Sequence, residues 1–369
     1  MFYPEDWAII VGIGDYPGLS NLDGPVNDAT EFHRWLVSEF PAGGGVQPGQ
    51  ALLIRSSDYP GPFADPLDAH PAQADIEREL RRMDSRAQKN NAASKGLRVG
   101  RRLYLFVSGH GCSVEENDAL LAADATPSQA GLHIPCRLWS KLFLNRGYFD
   151  EVVLLMDCCR GEWPTVTVRK PPLDLTIADI DAAEIGRRFY GFATKWRRDA
   201  KELQFNGSVY GVFTYALLEG LSGKAADPGT GLVTAASLES WMDANIGWYR
   251  NTPQPAGNTP QPAGNAPQPA SDAALPTFDF DRKDPEPLVF ARAKPPEYRR
   301  RIACGPAVVG TTVVIQAGDA ERSEIARVSA APPFWDVKLF KGSYQAIAFA
   351  AAKTKVFSVE RDGEPDVQL

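Results

Sequence analysis

The chain has 369 residues, of which 44% are hydrophobic and 23% are charged, the balance of a soluble globular protein. This length exceeds the usual size of one hydrophobic core, so we expect more than one domain. The net charge of −7 argues against a nucleic-acid partner. No apolar run reaches the roughly 20 residues that span a bilayer, and the first residues lack a secretion signal, which predicts a cytoplasmic protein without a membrane partner.

Up to residue 250, short apolar runs alternate with segments of helical periodicity. Apolar runs of this length are typical of strands buried on both faces. Alternating strands and helices predict an α/β fold with a mostly parallel sheet between two helical layers. The predicted strands are Trp7–Ile13, Ala51–Ile54, Leu103–Val107, Glu151–Met156 and Phe189–Ala193, and the predicted helices are Asp28–Phe40, Gln73–Lys89, Ser208–Leu221 and Thr234–Ile246.

Residues 251–270 repeat the sequence Asn-Thr-Pro-Gln-Pro-Ala-Gly and have no apolar face to bury. Their prolines predict an extended linker. We therefore expect an α/β domain over residues 1–250, a proline-rich linker over 251–284 and a small β-rich domain of unknown role over 285–369. In the last segment, short apolar runs are separated by glycines, prolines and charges. Ala346–Ala352 fits a helical turn equally well.

The five cysteines are an odd number, which favours reduced thiols over a disulfide framework in a chain without a secretion signal. A special cysteine would then be catalytic or metal-bound. Cys112, His133 and Cys136 lack a fourth ligand at a recognisable spacing, so we predict no metal site from them.

Two predicted strands end in residues that can carry chemistry. One is followed by Ser108-Gly109-His110-Gly111, and the other by Asp157-Cys158-Cys159-Arg160-Gly161. Functional groups of an open α/β sheet collect at the carboxyl ends of its strands, so a base and a thiol are expected at one edge. A thiol becomes a nucleophile when an imidazole takes its proton. The backbone N–H groups of Gly111 and Cys159 are candidate donors to an oxyanion.

These motifs resemble those of the caspases and metacaspases, including the bacterial metacaspases and orthocaspases. Cys159-Arg160-Gly161, with His110 about 50 residues upstream, matches the caspase signature. The similarity extends to Ala8-Ile-Ile-Val-Gly-Ile, Val26-Asn-Asp-Ala-Thr and Gly211-Val-Phe-Thr-Tyr-Ala, and covers residues from about 6 to 250. It implies a cysteine endopeptidase with a caspase-like three-layer sandwich, in which Cys159 attacks and His110 is the base. Two alternatives stay open: Cys158 attacks instead, or both residues are structural.

The resemblance to metacaspases also implies a specificity pocket lined by Asp28, Ser108 and Asp157. Two carboxylates in one pocket repel each other unless a cation lies between them, so the pocket should select Arg or Lys before the cleaved bond. Strict caspases select Asp, which remains an alternative. Asp28 could instead form a capping box with Glu31, and Pro25 stands where metacaspases usually carry a cysteine.

The same resemblance suggests regulation, in a cell-death or defence response. Calcium is a possible cofactor, for which the acidic residues Glu115, Glu116, Asp118 and Asp124 lie in roughly the right region; otherwise no cofactor is predicted. Self-cleavage is expected within Thr165–Asp181 or at Arg187-Arg188. The partners would be protein or peptide substrates, with the C-terminal domain docking a substrate or an activator. A catalytically silent binding scaffold is the alternative from another functional class.

Overall fold

The computed structural model describes two compact units, one of residues 1–225 and 232–292, the other of residues 226–231 and 293–369. The first unit thus continues past residue 250, where the sequence predicted its end. The described residues are 1–114, 117–129, 131–161, 169–173, 186–195, 198, 200–251, 275–284, 286–294, 297–318, 322–340, 342–359 and 363–369.

The first unit is built from strands and helices that alternate over most of its length. Its helices are α1 (Pro25–Leu36), α2 (Gln73–Ala92), α3 (Cys136–Asn145), α4 (Val212–Glu219) and α5 (Ala235–Arg250). Its strands are β1 (Asp6–Gly12), β2 (Ala51–Arg55), β3 (Gly100–Gly109), β4 (Gly111–Val114), β5 (Asn117–Leu121), β6 (His133–Ile134), β7 (Phe149–Cys158), β8 (Arg187–Phe192), β9 (Glu202–Phe205), β10 (Ser208–Gly211), β11 (Leu232–Thr234), β12 (Thr277–Phe280) and β13 (Val289–Arg292).

A six-stranded sheet forms the centre of this unit, in the order β12-β8-β7-β3-β1-β2. All neighbours are parallel except β12, which is antiparallel to β8. The five strands predicted from apolar runs are therefore confirmed, as is the mostly parallel sheet. The register pairs Ser108 of β3 with Asp157 of β7, so the two predicted functional loops leave adjacent strands at the same edge.

Different helices cover the two faces of the sheet. Successive side chains of a strand point to opposite faces, so neighbouring residues pack against different helices. Leu105 and Val107 pack in the core that contains α2 and α3. Phe106, between them, stacks on Phe32 of α1 with ring centroids 4.5 Å apart. By the same alternation Ser108 lies on the α1 face. This three-layer arrangement confirms the predicted α/β sandwich.

Two local predictions were wrong. The predicted helix at Ser208 begins only at Val212, because Asn206 and Gly207 have φ of +51° and +88° and turn the chain into the hairpin β9-β10. Residues 277–280, expected in the linker, form β12 instead and pair with β8. The remaining linker, residues 252–274, lies outside the described residues.

The second unit is β-rich, as predicted for the C-terminal region. Its strands form a three-stranded sheet, β17-β14-β20, and a four-stranded antiparallel sheet, β16-β15-β18-β19. Both sheets contribute to one apolar core. The strands are β14 (Tyr298–Ala303), β15 (Val313–Ala317), β16 (Glu324–Val328), β17 (Phe334–Leu339), β18 (Gly342–Ala348), β19 (Lys353–Val359) and β20 (Val367–Gln368). The segment Ala346–Ala352, which fitted a strand and a helical turn equally well, contains both: β18 ends at Ala348, and a 3-10 turn covers Phe349–Ala351.

In the part of the chain that the structure describes, none of the helices combines the length and the apolar character needed to cross a membrane.

Candidate active site

His110 lies between β3 and β4, at the carboxyl edge of the central sheet. Its backbone N–H donates to the Tyr16 hydroxyl at 3.0 Å, and its Nε2 atom is 2.7 Å from the Ser20 carbonyl oxygen. A carbonyl oxygen can only accept, so this bond places a proton on Nε2 and leaves Nδ1 of the neutral ring as the basic atom. Burial lowers the pKa of His110 against the opposing effect of the Ser20 bond. The imidazole is therefore mainly neutral at pH 7, as a general base must be.

Two glycines bring the His110 backbone into contact with its surroundings. A Cβ on Gly109, whose φ is +154°, would lie 2.5 Å from the Tyr16 hydroxyl. A Cβ on Gly111 would lie 2.6 Å from both the Cys158 Cβ and the Cys159 carbonyl oxygen. A side chain at either position would clash, so glycine permits this close packing. The structure thus places Gly111 directly against the cysteine pair.

Cys159 follows the end of β7 and is partly exposed, whereas the other four cysteines are buried. Its Sγ atom accepts a hydrogen bond from the Ala200 backbone N–H at 3.2 Å. An N–H donor to sulfur favours the thiolate form. The backbone of the next residue is also hydrogen-bonded, because the Arg160 N–H donates to the Arg198 carbonyl at 3.0 Å. Cys159 is accordingly held by a backbone donor while part of its surface stays exposed.

Cys158 is in a different environment. It is the last residue of β7 and packs on the α2 and α3 face of the sheet, with only 1% of its surface exposed. Burial is the main cause that raises its pKa well above the usual value of a thiol. A buried, protonated thiol is a poor nucleophile. This environment supports the interpretation of Cys158 as a packing residue.

The predicted pocket residues Asp28, Ser108 and Asp157 come together on the α1 and α4 face of the sheet. The Ser108 hydroxyl donates to the Asp28 carboxylate at 2.8 Å. The backbone N–H and the hydroxyl of Thr214 donate to Asp157 at 3.0 and 2.7 Å. A Cβ on Gly211 would lie 2.0 Å from an Asp157 oxygen and 2.9 Å from an Asp28 oxygen, so both carboxylates adjoin the same glycine.

Asp28 does not cap a helix. The helix α1 begins three residues earlier at Pro25, a position where a missing N–H costs nothing. The Asp28 side chain instead accepts hydrogen bonds from Ser108 and from the Gly211 backbone N–H. The capping-box interpretation is therefore wrong.

Glu202 is a third carboxylate beside the pocket, which the sequence analysis did not identify. It pairs with Gly211 in the β9-β10 hairpin and accepts hydrogen bonds from the backbone N–H groups of Asp23 and Gly24 at 3.2 and 3.3 Å. The Asn206-Gly207 turn signal could have predicted this hairpin. Tyr16, Ser20 and Ala200, which position His110 and Cys159, gave no sequence signal because each acts through its backbone or a distant contact.

Burial governs the protonation of the pocket. It raises the pKa of Asp157 to about 6 and that of Glu202 to about 7, against hydrogen bonds that lower both. The pKa of Asp28 is raised well above its usual value by burial and by the charge of Asp157. Among the described residues, no Lys or Arg forms an ion pair with these three carboxylates. A cation brought next to these carboxylates would therefore be strongly attracted to them.

Among the acidic residues considered for calcium, Asp118 is a poor ligand because it is buried and ion-paired with Arg160 and Arg137. Calcium ligands must be oxygen atoms that are not already occupied by cationic partners. Asp124 accepts a hydrogen bond from the Gln73 backbone N–H, a contact that does not test the calcium prediction. Glu115 and Glu116 lie outside the described residues.

Comparison with known proteins identifies a family for the larger part of the first unit. Residues 5–240 match the family model of the caspase domain. Similar solved structures include the crystal structure of caspase-1 from Spodoptera frugiperda, with 14% identity, a TM-score of 0.42, and coverage of 80% of this chain and 93% of that one. No curated protein matches significantly in sequence. Because the family model covers more than half of the chain, the chain belongs to the caspase domain family, whose members are cysteine peptidases.

Proposed function

We propose that the chain is a cysteine endopeptidase that hydrolyses peptide bonds after Arg or Lys. The Cys159 sulfur attacks the peptide carbonyl while Nδ1 of His110 takes the thiol proton. His110 then gives this proton to the leaving amine, which breaks the C–N bond and leaves a thioester. Water, deprotonated by His110, hydrolyses the thioester and restores the thiol. The backbone N–H groups of Gly111 and Cys159 stabilise the oxyanion in both steps.

The observation that carries the proposed specificity is the convergence of Asp28 and Asp157 on Gly211. Asp157 lies two residues before Cys159, and Ser108 lies two residues before His110, so the acidic pocket adjoins the nucleophile and the base. Buried carboxylates are costly without a counterion. The side chain of Arg or Lys would supply that counterion only when a substrate is bound. An Asp side chain would instead be repelled, which disfavours strict caspase specificity and favours the metacaspase type.

Fluorogenic peptides that differ only in having Arg, Lys or Asp before the cleaved bond should differ in kcat/KM by about 100-fold or more, with Arg and Lys preferred. The assay is run with and without calcium, and Cys159→Ala is the inactive control. Cleavage after Asp alone would contradict the proposed pocket. Equal cleavage in chelator would favour calcium-independent activity.

We expect the enzyme to cleave its own chain after a basic residue that follows the nucleophile. After Arg160, the basic residues up to the start of β8 are Arg169 and Lys170, and β8 itself begins with Arg187 and Arg188. Lys170 precedes Pro171, whereas the guanidinium groups of Arg187 and Arg188 are ion-paired with Glu151 and Asp279. The Arg169–Lys170 bond is thus the expected site, although the Arg169 N–H is hydrogen-bonded to His133 at 3.1 Å. Residues 165–168 and 174–181 of the predicted region lie outside the described residues.

Intact mass after overnight incubation measures this self-cleavage. We expect wild type to yield two fragments, one ending at Arg169 and the other beginning at Lys170. Arg169→Gln and Cys159→Ala should stay full length. Arg187→Gln serves as the matched control and should still be cut. Fragments that end at another residue, or a full-length wild type, would contradict the proposed site.

A catalytically silent scaffold is the second candidate function. A peptide acyloxymethyl ketone with Arg before the warhead distinguishes the two, because only an activated thiol forms the thioether. Absence of labelling at Cys159 under all conditions would favour the scaffold.

For the second unit we propose a docking role, for a substrate or an activator. This unit has a separate hydrophobic core, and it contributes none of the proposed site residues. The biological setting we infer is regulated proteolysis, as in cell death or defence.

A further inference from the structure

Arg160, the residue after the proposed nucleophile, is almost fully buried, with 7% of its surface exposed. Its guanidinium group makes two hydrogen bonds to the Asp118 carboxylate, at 2.7 and 3.2 Å. It also donates to the Thr194 carbonyl at 3.2 Å and lies over the Phe192 ring at 4.4 Å. A buried cation with so many fixed contacts has a single well-defined position.

Asp118, the acidic member of this ion pair, is connected to the proposed base through strands β5 and β4. Asp118 belongs to β5, which pairs with β4, and β4 begins at Gly111, directly after His110. Beside the ion pair, the Ser113 backbone N–H donates to the Gly161 carbonyl at 3.1 Å. The β4-β5 hairpin that follows the base is therefore joined to the loop that carries the nucleophile at two consecutive residues, Arg160 and Gly161.

A third contact of Arg160 reaches a strand far along the chain. Its Nη1 atom is 3.3 Å from the Thr277 hydroxyl, the first residue of β12. Thr277 follows the proline-rich repeat in sequence, and β12 forms one edge of the central sheet. The strand after the repeat thus contacts the residue adjacent to the nucleophile.

We propose that Arg160 is a positioning residue, which fixes the Cys159 sulfur relative to His110 through its ion pair with Asp118 and its contact with Thr277. The inference rests on the proposed function, because it assumes that Cys159 reacts with help from His110. A displacement of about 1 Å between reacting groups can cost on the order of 100-fold in rate. Loss of the ion pair should thus slow the reaction of Cys159 even in a folded protein.

Arg137 provides a matched control. It also binds Asp118, at 3.3 Å, and lies over Phe192, but it belongs to α3 and is not adjacent to the nucleophile. It has a second acidic partner in Asp279, which would remain if Asp118 were replaced. A variant at Arg137 therefore perturbs the same buried carboxylate without disturbing the Cys159 loop directly.

The experiment compares the full-length variants Arg160→Met/Asp118→Leu and Arg137→Met with wild type. Replacing both members of a buried ion pair by apolar residues often preserves folding, whereas removing one leaves an unpaired charge. We expect the double variant to keep a cooperative thermal transition and to lose about 100-fold in both kcat and the rate of Cys159 labelling by the ketone probe, with KM within about threefold. Arg137→Met should stay within about threefold of wild type in all three.

Wild-type kcat and labelling in a folded double variant would overturn the inference, as would an equal loss in Arg137→Met. If the double variant does not fold, the result from Arg160→Lys decides: lysine keeps the charge but cannot make the forked contacts, so we expect a loss of about tenfold in labelling. Unchanged labelling of Arg160→Lys would then overturn it. A wild type that is itself unreactive toward the probe would instead contradict the proposed function, which separates the two failures.

Discussion

Replacing Cys159 by Ala is expected to lower kcat by about 10⁴-fold or more, whereas replacing Cys158 by Ala should leave it within about threefold. The two residues are neighbours in sequence, but the strand alternation sends them to different environments. Cys158 packs in the core beneath α2 and α3. Cys159 is partly exposed and receives the Ala200 N–H bond at its sulfur. Chemical reactivity should follow the environment.

Steady-state kinetics on an Arg peptide, with thermal denaturation of each variant, measure this difference. The loss of the buried Cys158 sulfur should cost about 1 kcal/mol in the free energy of unfolding, because it leaves a small cavity. Cys159→Ala should change stability little. An active Cys159→Ala with an inactive, folded Cys158→Ala would assign the nucleophile to Cys158 and overturn the proposed mechanism.

The site elements that could be predicted are those carried by strands with strong apolar patterns. The runs before Ser108 and Asp157 end at functional residues, and parallel pairing necessarily brings their ends together. Asp28 could be placed only through the family resemblance, because its distance from β3 and β7 in sequence leaves no local signal. The depth of its burial, and the bonds from Ser108 and Gly211, required the three-dimensional structure.

What escaped prediction depends on contacts between segments distant in sequence. Glu202 lies opposite Gly211 because Asn206-Gly207 forms a tight hairpin turn. The apolar residues after this turn also fit helical periodicity, so the sequence predicted a helix from Ser208 and not the hairpin. The edge strand β12 escaped because the proline repeat before it suggested the end of the domain. Asp118 was considered only as a calcium ligand, because its ion-pair partner Arg160 lies 42 residues away in sequence.

Replacing Asp157 by Asn is expected to lower kcat/KM for Arg and Lys peptides by about 100-fold at pH 7.5, because the pocket loses one of the charges that attract the basic side chain. The amide oxygen of Asn can still accept the two hydrogen bonds that Thr214 donates to Asp157. Packing should therefore be preserved. The labelling rate of Cys159 with iodoacetamide, which does not occupy the pocket, serves as the control and should change little.

The pH dependence separates a binding role of Asp157 from a structural one. Burial raises the pKa of Asp157 to about 6, so wild-type kcat/KM on Arg peptides should rise between pH 5 and 7 as this carboxyl ionises. Ionisation of His110 affects every substrate and persists in Asp157→Asn. The ratio of kcat/KM between wild type and this variant therefore isolates the contribution of Asp157.

The stability of the protein should change in the opposite direction. The folded protein keeps the Asp157 proton that the unfolded chain loses near pH 4, so this group lowers the free energy of unfolding as pH rises from about 4 through about 6. Asp157→Asn should thus be at least as stable as wild type at pH 8 while it is far less active on basic peptides. A variant that loses stability and activity together would assign Asp157 to the fold rather than to the pocket.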